Sequence, residues 1–141
     1  MPSAPKLRIL IADDDRDTVV TLGAILRDEG HEVHTVLRGD EVLDMDRLTR
    51  PDVVILDISM PGMSGYAVAR EIRERRAPLA PLLIAVSGKW TQKSDELLAR
   101  EVGFDHYLLK PCDAAQVLSL LSAYEQREER PAARQFSTHR K

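Results

Sequence analysis

The chain has 141 residues, 43% of them hydrophobic and 30% charged, which suits one soluble domain with a full core. A formal charge of -3 gives no global reason to expect nucleic acid or an anionic membrane as partner, and no stretch approaches the roughly 18 apolar residues of a membrane span. Cys112 is the only cysteine, which excludes an intrachain disulfide, and Met1 to Pro5 is too short and polar for a signal peptide; the expected compartment is the cytoplasm.

After an N-terminal arm over residues 1–5, short apolar blocks alternate five times with segments of helical period. The first block, Arg8 to Ala12, reads as a buried strand. The helix that follows Asp17 carries Val19, Leu22 and Leu26 on one face, with Gly30 placed to cap its end. Glu32 to Val36 is the second strand, and Asp40 to Leu48 a short helix stopped before Pro51. Asp52 to Leu56 is the third strand. Its helix runs from Ser64 to about Arg76, with Val68, Ala69 and Ile72 facing inward and Pro78 and Pro81 beyond its end.

Leu82 to Val86 is the fourth strand. The helix after it, about Ser94 to Val102, has only a thin apolar stripe of Leu98 and Val102 before Gly103, so it should be loosely held. Asp105 to Leu109 is the fifth strand. After Pro111, Asp113 is a plausible N-cap for a helix burying Ala114, Val117, Leu118 and Leu121. The runs of Val, Ile and Leu suit strands covered on both faces, hence a parallel sheet within one domain over residues 6–125. Residues 126–141 hold five basic and two acidic residues, against 15 and 21 before them; so polar a tail should stay disordered or fray from the last helix.

Chemistry concentrates where strands end. Asp13, Asp14 and Asp15 follow the first strand and Asp57 follows Leu56, so parallel strands would bring carboxylates together at one sheet edge. Asp15 or Asp17 can be accounted for as a helix cap, but a cap needs one carboxylate, and the remainder call for a hard cation. Mg²⁺ suits such a site, with Mn²⁺ as a substitute, because it takes few carboxylates and shares its other positions with phosphoryl oxygens. Lys110, after the fifth strand, could pair with a carboxylate or a phosphoryl oxygen, and the Ser87 hydroxyl could donate to the same group. A cis Lys110-Pro111 bond would turn the chain sharply there, an isomer that the sequence leaves open.

The set resembles the receiver domain of two-component response regulators, chemotaxis regulators among them: the acidic residues after strand one, Leu56-Asp57-Ile58-Ser59-Met60-Pro61-Gly62-Met63-Ser64-Gly65, Ser87, and Lys110-Pro111. The resemblance covers about Lys6 to Glu125. It implies an α/β fold, a flavodoxin-like doubly wound (βα)5 sheet of strand order 2-1-3-4-5. It implies that Asp57 is the phosphoacceptor and that Asp13, Asp14, Asp57 and the Ser59 backbone carbonyl are the protein ligands to Mg²⁺, with Asp14 in direct contact and Asp13 acting mainly through water. Lys110 would bind the phosphoryl group, Ser87 would be the hydroxyl switch and Tyr107 the aromatic switch. Ser59 and Lys89 would flank the route of the hydrolytic water, Trp90 would lie beside the site, and Cys112 stands where the family more usually carries a larger apolar residue.

The resemblance further implies a phosphohistidine donor on a sensor histidine kinase or histidine phosphotransfer protein, a downstream target protein, and phosphorylation-linked homodimers. The protein would catalyse its own phosphorylation and dephosphorylation rather than turn over as a conventional enzyme. With no output domain in the sequence, the expectation is a stand-alone receiver, the alternative a receiver from a hybrid kinase. Two other readings compete. An aspartyl-phosphate phosphohydrolase of the haloacid dehalogenase type could use Asp13 and Asp15, although Asp17 and the single later Asp113 depart from that pattern; a phosphorylation-insensitive binding module would not need the full residue set.

Overall fold

The computed structural model describes residues 6–88, 93–127 and 137–139. In chain order the elements are β1 (Arg8–Ala12), α1 (Arg16–Asp28), β2 (Glu32–Val36), α2 (Gly39–Thr49), β3 (Val53–Asp57), α3 (Gly65–Arg76), β4 (Leu82–Ser87), α4 (Lys93–Val102), β5 (His106–Leu109), α5 (Ala114–Glu125) and β6 (Ser137–His139). The strands form one sheet of order β2-β1-β3-β4-β5-β6, parallel throughout. The expected order 2-1-3-4-5 is therefore present, with a sixth strand added outside β5.

Alternation of side chains divides the core in two. Ile9, Ile11, Val53, Ile55, Ile84 and Leu108 pack with residues of α1 and α5, whereas Leu10, Val54, Leu56, Leu83 and Tyr107 pack with residues of α2, α3 and α4. Strands covered on both faces have no polar face, which is why β3 and β4 are buried at every position.

Local signals set the helix limits. Asp15 caps α1 by accepting from the Asp17 amide, Ser64 caps α3 by accepting from the Ala67 amide, and Asp113 caps α5 by accepting from the Ala115 amide. Gly30 and Gly103 follow α1 and α4 with φ of 97° and 110°, a left-handed conformation that glycine adopts without a Cβ clash.

Two expectations need correction. On α4 the inward residues are Ala99 and Val102, while Leu98 is 39% exposed and Leu97 52%. The i, i+3 pair built on a small alanine lets the helix lie close to the core, so Leu98 falls on its flank. At the C-terminus, Ser137–His139 are not an extension of α5 but a strand on β5, since backbone pairing needs no apolar side chains. The expectation of disorder elsewhere in the tail, and those for Lys89 and Trp90, lie outside the described residues.

Candidate functional site

The acidic site follows from the register of the two central strands. β1 and β3 are neighbours with Ala12 opposite Leu56, so the next residue along each, Asp13 and Asp57, sits at the same sheet edge. Both are buried, at 3% and 4% exposure, and Asp14 beside them is exposed. Oxygens of Asp13, Asp14 and Asp57 lie within 4.8 Å of one another. The backbone holds the two buried carboxylates in place: the Asp15 amide donates to Asp13 Oδ1 at 2.9 Å, and the Ser59 amide donates to Asp57 Oδ1 at 3.3 Å.

The acidic run divides its work. Asp13 and Asp14 face the cluster, whereas Asp15 caps α1 and also accepts from the Thr18 hydroxyl at 2.7 Å. Capping is therefore a correct account of one residue in three.

Lys110 crosses the end of β4 to reach the cluster. Its Nζ lies 2.9 Å from Asp13 Oδ2 and 3.4 Å from Asp57 Oδ2, and its amide donates to the Ser87 carbonyl at 2.8 Å. The Lys110-Pro111 peptide is cis. Ser87 ends β4 and is 7% exposed, one residue beyond Val86, which faces Asp57 across the sheet. Tyr107 lies on β5, 1% exposed and packed in the α2–α4 side of the core.

The charges do not balance. Burial and the nearby Asp13 charge raise the Asp57 pKa to about 6, against the opposing pull of Lys110 and the Ser59 amide. Burial alone would lower the Lys110 pKa, but the hydrogen bond to Asp13 and the charges of Asp13 and Asp57 outweigh it and hold the ammonium above its ordinary value. Three carboxylates around one ammonium leave excess negative charge in a partly desolvated cleft, and hard oxygen donors at this spacing fit a hard divalent cation.

Two positioning residues were missed as such in the sequence. Gly65 begins α3 with its amide on the Ile58 carbonyl at 2.9 Å; a Cβ there would lie 2.7 Å from the Asp57 carbonyl oxygen, so only glycine lets this helix start so close to the acidic strand end. Its place in the Pro61-to-Gly65 segment was the available signal. Tyr66 packs against the core beside Tyr107, and burial first, then the Tyr107 and Asp95 charges and a hydrogen bond with Tyr107, push its phenol pKa upward. Nothing in the sequence pairs those two tyrosines.

On the other side of the sheet a cleft of about 350 Å³ runs down from Asp13, Asp57 and Lys110 between α1 and α5, past Thr18, Thr21, Ile25 and Cys112.

Comparison with known proteins agrees with this geometry. The family model of the response regulator receiver domain matches residues 9–122. Protein PilH of Pseudomonas aeruginosa is 34% identical over 116 residues, which are 82% of this chain and 95% of PilH. The DNA-binding response regulator MtrA of Mycolicibacterium smegmatis is 33% identical over 92% of this chain but only 55% of MtrA, so the chain spans about half the length of that relative. Among solved structures, the receiver domain of a signal transduction histidine kinase from Syntrophus aciditrophicus matches with a TM-score of 0.77 at 28% identity, covering 89% of this chain and 94% of that one. A CheY-like receiver domain protein from Methanospirillum hungatei matches with a TM-score of 0.78 at 25% identity, covering 87% and 94%.

Proposed function

The chain belongs to the response regulator receiver domain family of two-component signalling, and from that premise we propose that Asp57 is its phosphoacceptor, with Asp13, Asp14, Asp57 and the Ser59 carbonyl as the ligands of a Mg²⁺ ion. The observation that carries the proposal is Lys110 Nζ between two buried carboxylates, at 2.9 Å from Asp13 and 3.4 Å from Asp57, with Asp14 completing the cluster. Receiver domains work between histidine kinases and downstream targets, so the donor is a phosphohistidine on a sensor kinase or phosphotransfer protein.

An oxygen of Asp57 attacks phosphorus; the P–N bond of the phosphohistidine breaks, the imidazole leaves with the electron pair, and an acyl phosphate remains on Asp57. Lys110 holds its ammonium where charge gathers on the transferring oxygens, and Ser87 offers a hydroxyl to one of them. When bound, Mg²⁺ supplies the second cation that offsets the crowded carboxylates and the incoming phosphoryl charge. Asp13 orients Lys110, and the Ser59 amide fixes the free rotation of the Asp57 carboxylate. Water later cleaves the P–O bond and releases inorganic phosphate.

Ser87 and Tyr107 then convert a local charge into a change of surface. A phosphoryl group that draws the Ser87 hydroxyl toward Asp57 alters packing between β4 and β5, where Tyr107 is buried, and so biases the face formed by α4, β5 and α5 toward its target protein. The receiver occupies residues 6–125 and works in the cytoplasm, and its match to PilH extends over 95% of that relative.

Intact mass after incubation with Mg²⁺ and a small acyl phosphate tests the assignment. A single phosphoryl adduct is expected, absent in Asp57→Asn and absent when the metal is chelated. An adduct that persists in Asp57→Asn would overturn Asp57 as acceptor, and continued donor hydrolysis in that variant would favour the phosphohydrolase reading.

A further inference from the structure

The receiver site and its switch leave the sixth strand unexplained. β5 is four residues long, and its inner edge pairs with β4, His106 opposite Ile84 and Tyr107 opposite Ala85. Its outer edge would end the sheet with unsatisfied amides and carbonyls, as any edge strand does. Ser137–His139 lie on that edge in parallel, with Ser137 opposite His106, Thr138 opposite Tyr107 and His139 opposite Leu108. The occupied positions are thus centred on the residue assigned to the aromatic switch.

We propose that Ser137–His139 are a displaceable intramolecular cap: the chain's own C-terminal segment occupies the outer edge of the Tyr107 strand and withholds it from pairing with a second chain. Three features support a cap rather than a permanent sheet member. The strand is three residues long, so few backbone hydrogen bonds offset the ordering of the segment. It contains no aliphatic residue, so backbone pairing has to provide most of the hold. The basic residues Arg140 and Lys141 directly follow it, and short strands with adjacent charge are the usual means of ending a sheet without inviting another strand. The crossover from β5 through α5 exceeds the dozen residues that a parallel connection needs.

Proline in the cap provides the test, made in the full chain so that charge and length are kept. Along an edge strand the amides of consecutive residues point alternately toward and away from the partner, so Ser137→Pro and Thr138→Pro together must remove a donor that faces β5. Hydrogen exchange is followed in β5 of the wild type and the double variant, with formation of the Asp57 adduct as the check that the receiver is intact. The expected result is at least a fivefold rise in exchange at the β5 amides with an unchanged adduct. Growth of a dimer by light scattering, confined to the variant, would add support for a withheld pairing edge. Exchange in β5 that is the same in both proteins, with the adduct intact, would overturn the cap. Absence of the Asp57 adduct in the wild type would count against the proposed function; unchanged exchange in β1, β3 and β4 would then serve as the check of an intact fold, and the β5 comparison would still decide the cap.

Discussion

Buried carboxylates occur at both ends of the sheet, and the two ends treat them in opposite ways. At the ends of β1 and β3, Asp13 and Asp57 share Lys110, with Asp14 adjoining. At the opposite end each buried aspartate has an arginine. Asp105, just before β5, accepts from Arg73 Nη2 at 2.8 Å and from the Leu83 amide at 2.9 Å. Asp46 in α2 accepts from Arg76 Nη1 at 2.8 Å, and the same guanidinium atom donates to the Pro51 carbonyl at 3.0 Å. One end is neutralised by the chain itself and ties helices to the sheet; the other keeps surplus negative charge and is the end where chemistry is proposed. A buried acid is thus informative about function only when its balance of charge and hydrogen bonds is counted.

The comparison can be broken most forcefully at the paired end. Arg73→Met should leave Asp105 buried without its guanidinium partner and cost about 3–5 kcal/mol of stability. Urea unfolding measures it, and a loss below about 1 kcal/mol would mean that the pair is not a staple. Because Arg73 crosses the position where a Gly103 Cβ would stand, 2.6 Å from Arg73 Cγ, the arginine and the glycine serve one arrangement.

At the unbalanced end, Lys110→Ala should slow formation of the Asp57 adduct by about 10²-fold, the usual scale for losing one charged group from a developing oxyanion. The readout is the adduct-forming rate at saturating Mg²⁺. A rate within twofold of wild type would remove Lys110 from the proposed chemistry.

Asp57→Asn should stabilise the metal-free protein while abolishing the adduct. The Asp57 pKa is about 6 in the fold against an ordinary 3.8, so the folded state holds the proton more tightly. Stability from this group is full below pH 3.8 and is lost as pH rises through 6. At pH 7.5 with chelator the variant should therefore gain on the order of 1–2 kcal/mol, allowing for screening by solvent at the mouth of the cleft, and the gain should vanish near pH 3.8. Paired chemical melts at the two pH values measure it; a gain independent of pH would exclude relief of charge crowding as the cause.

The smallest effect belongs to the cleft beside the site. Cys112→Leu should fill part of the space between α1 and α5 and raise stability by less than about 1 kcal/mol, with the adduct still formed. Thermal melts would detect it as a small upward shift, whereas a fall would mean that the cleft cannot take two further heavy atoms without displacing α1.

The alternation of strands and helices and the residues of the acidic site are legible in the amino-acid order. Apolar runs such as Val53-Val54-Ile55-Leu56 suit only strands covered on both faces, and Ser64, Asp113 and Gly103 mark helix ends through local backbone chemistry. Asp13, Asp14, Asp57 and Lys110 were legible because each lies at or within two residues of the C-terminal end of a strand, and parallel strands deliver such residues to one edge. Only the folded arrangement set the turning of Leu98 away from the core in favour of Ala99, the approach of Tyr66 to Tyr107, and the pairing of Asp46 and Asp105 with arginines 30 and 32 residues away. It also decided that Ser137–His139 lie on β5. These outcomes depend on distances between segments remote in the chain, and backbone pairing at a sheet edge leaves no hydrophobic period to read.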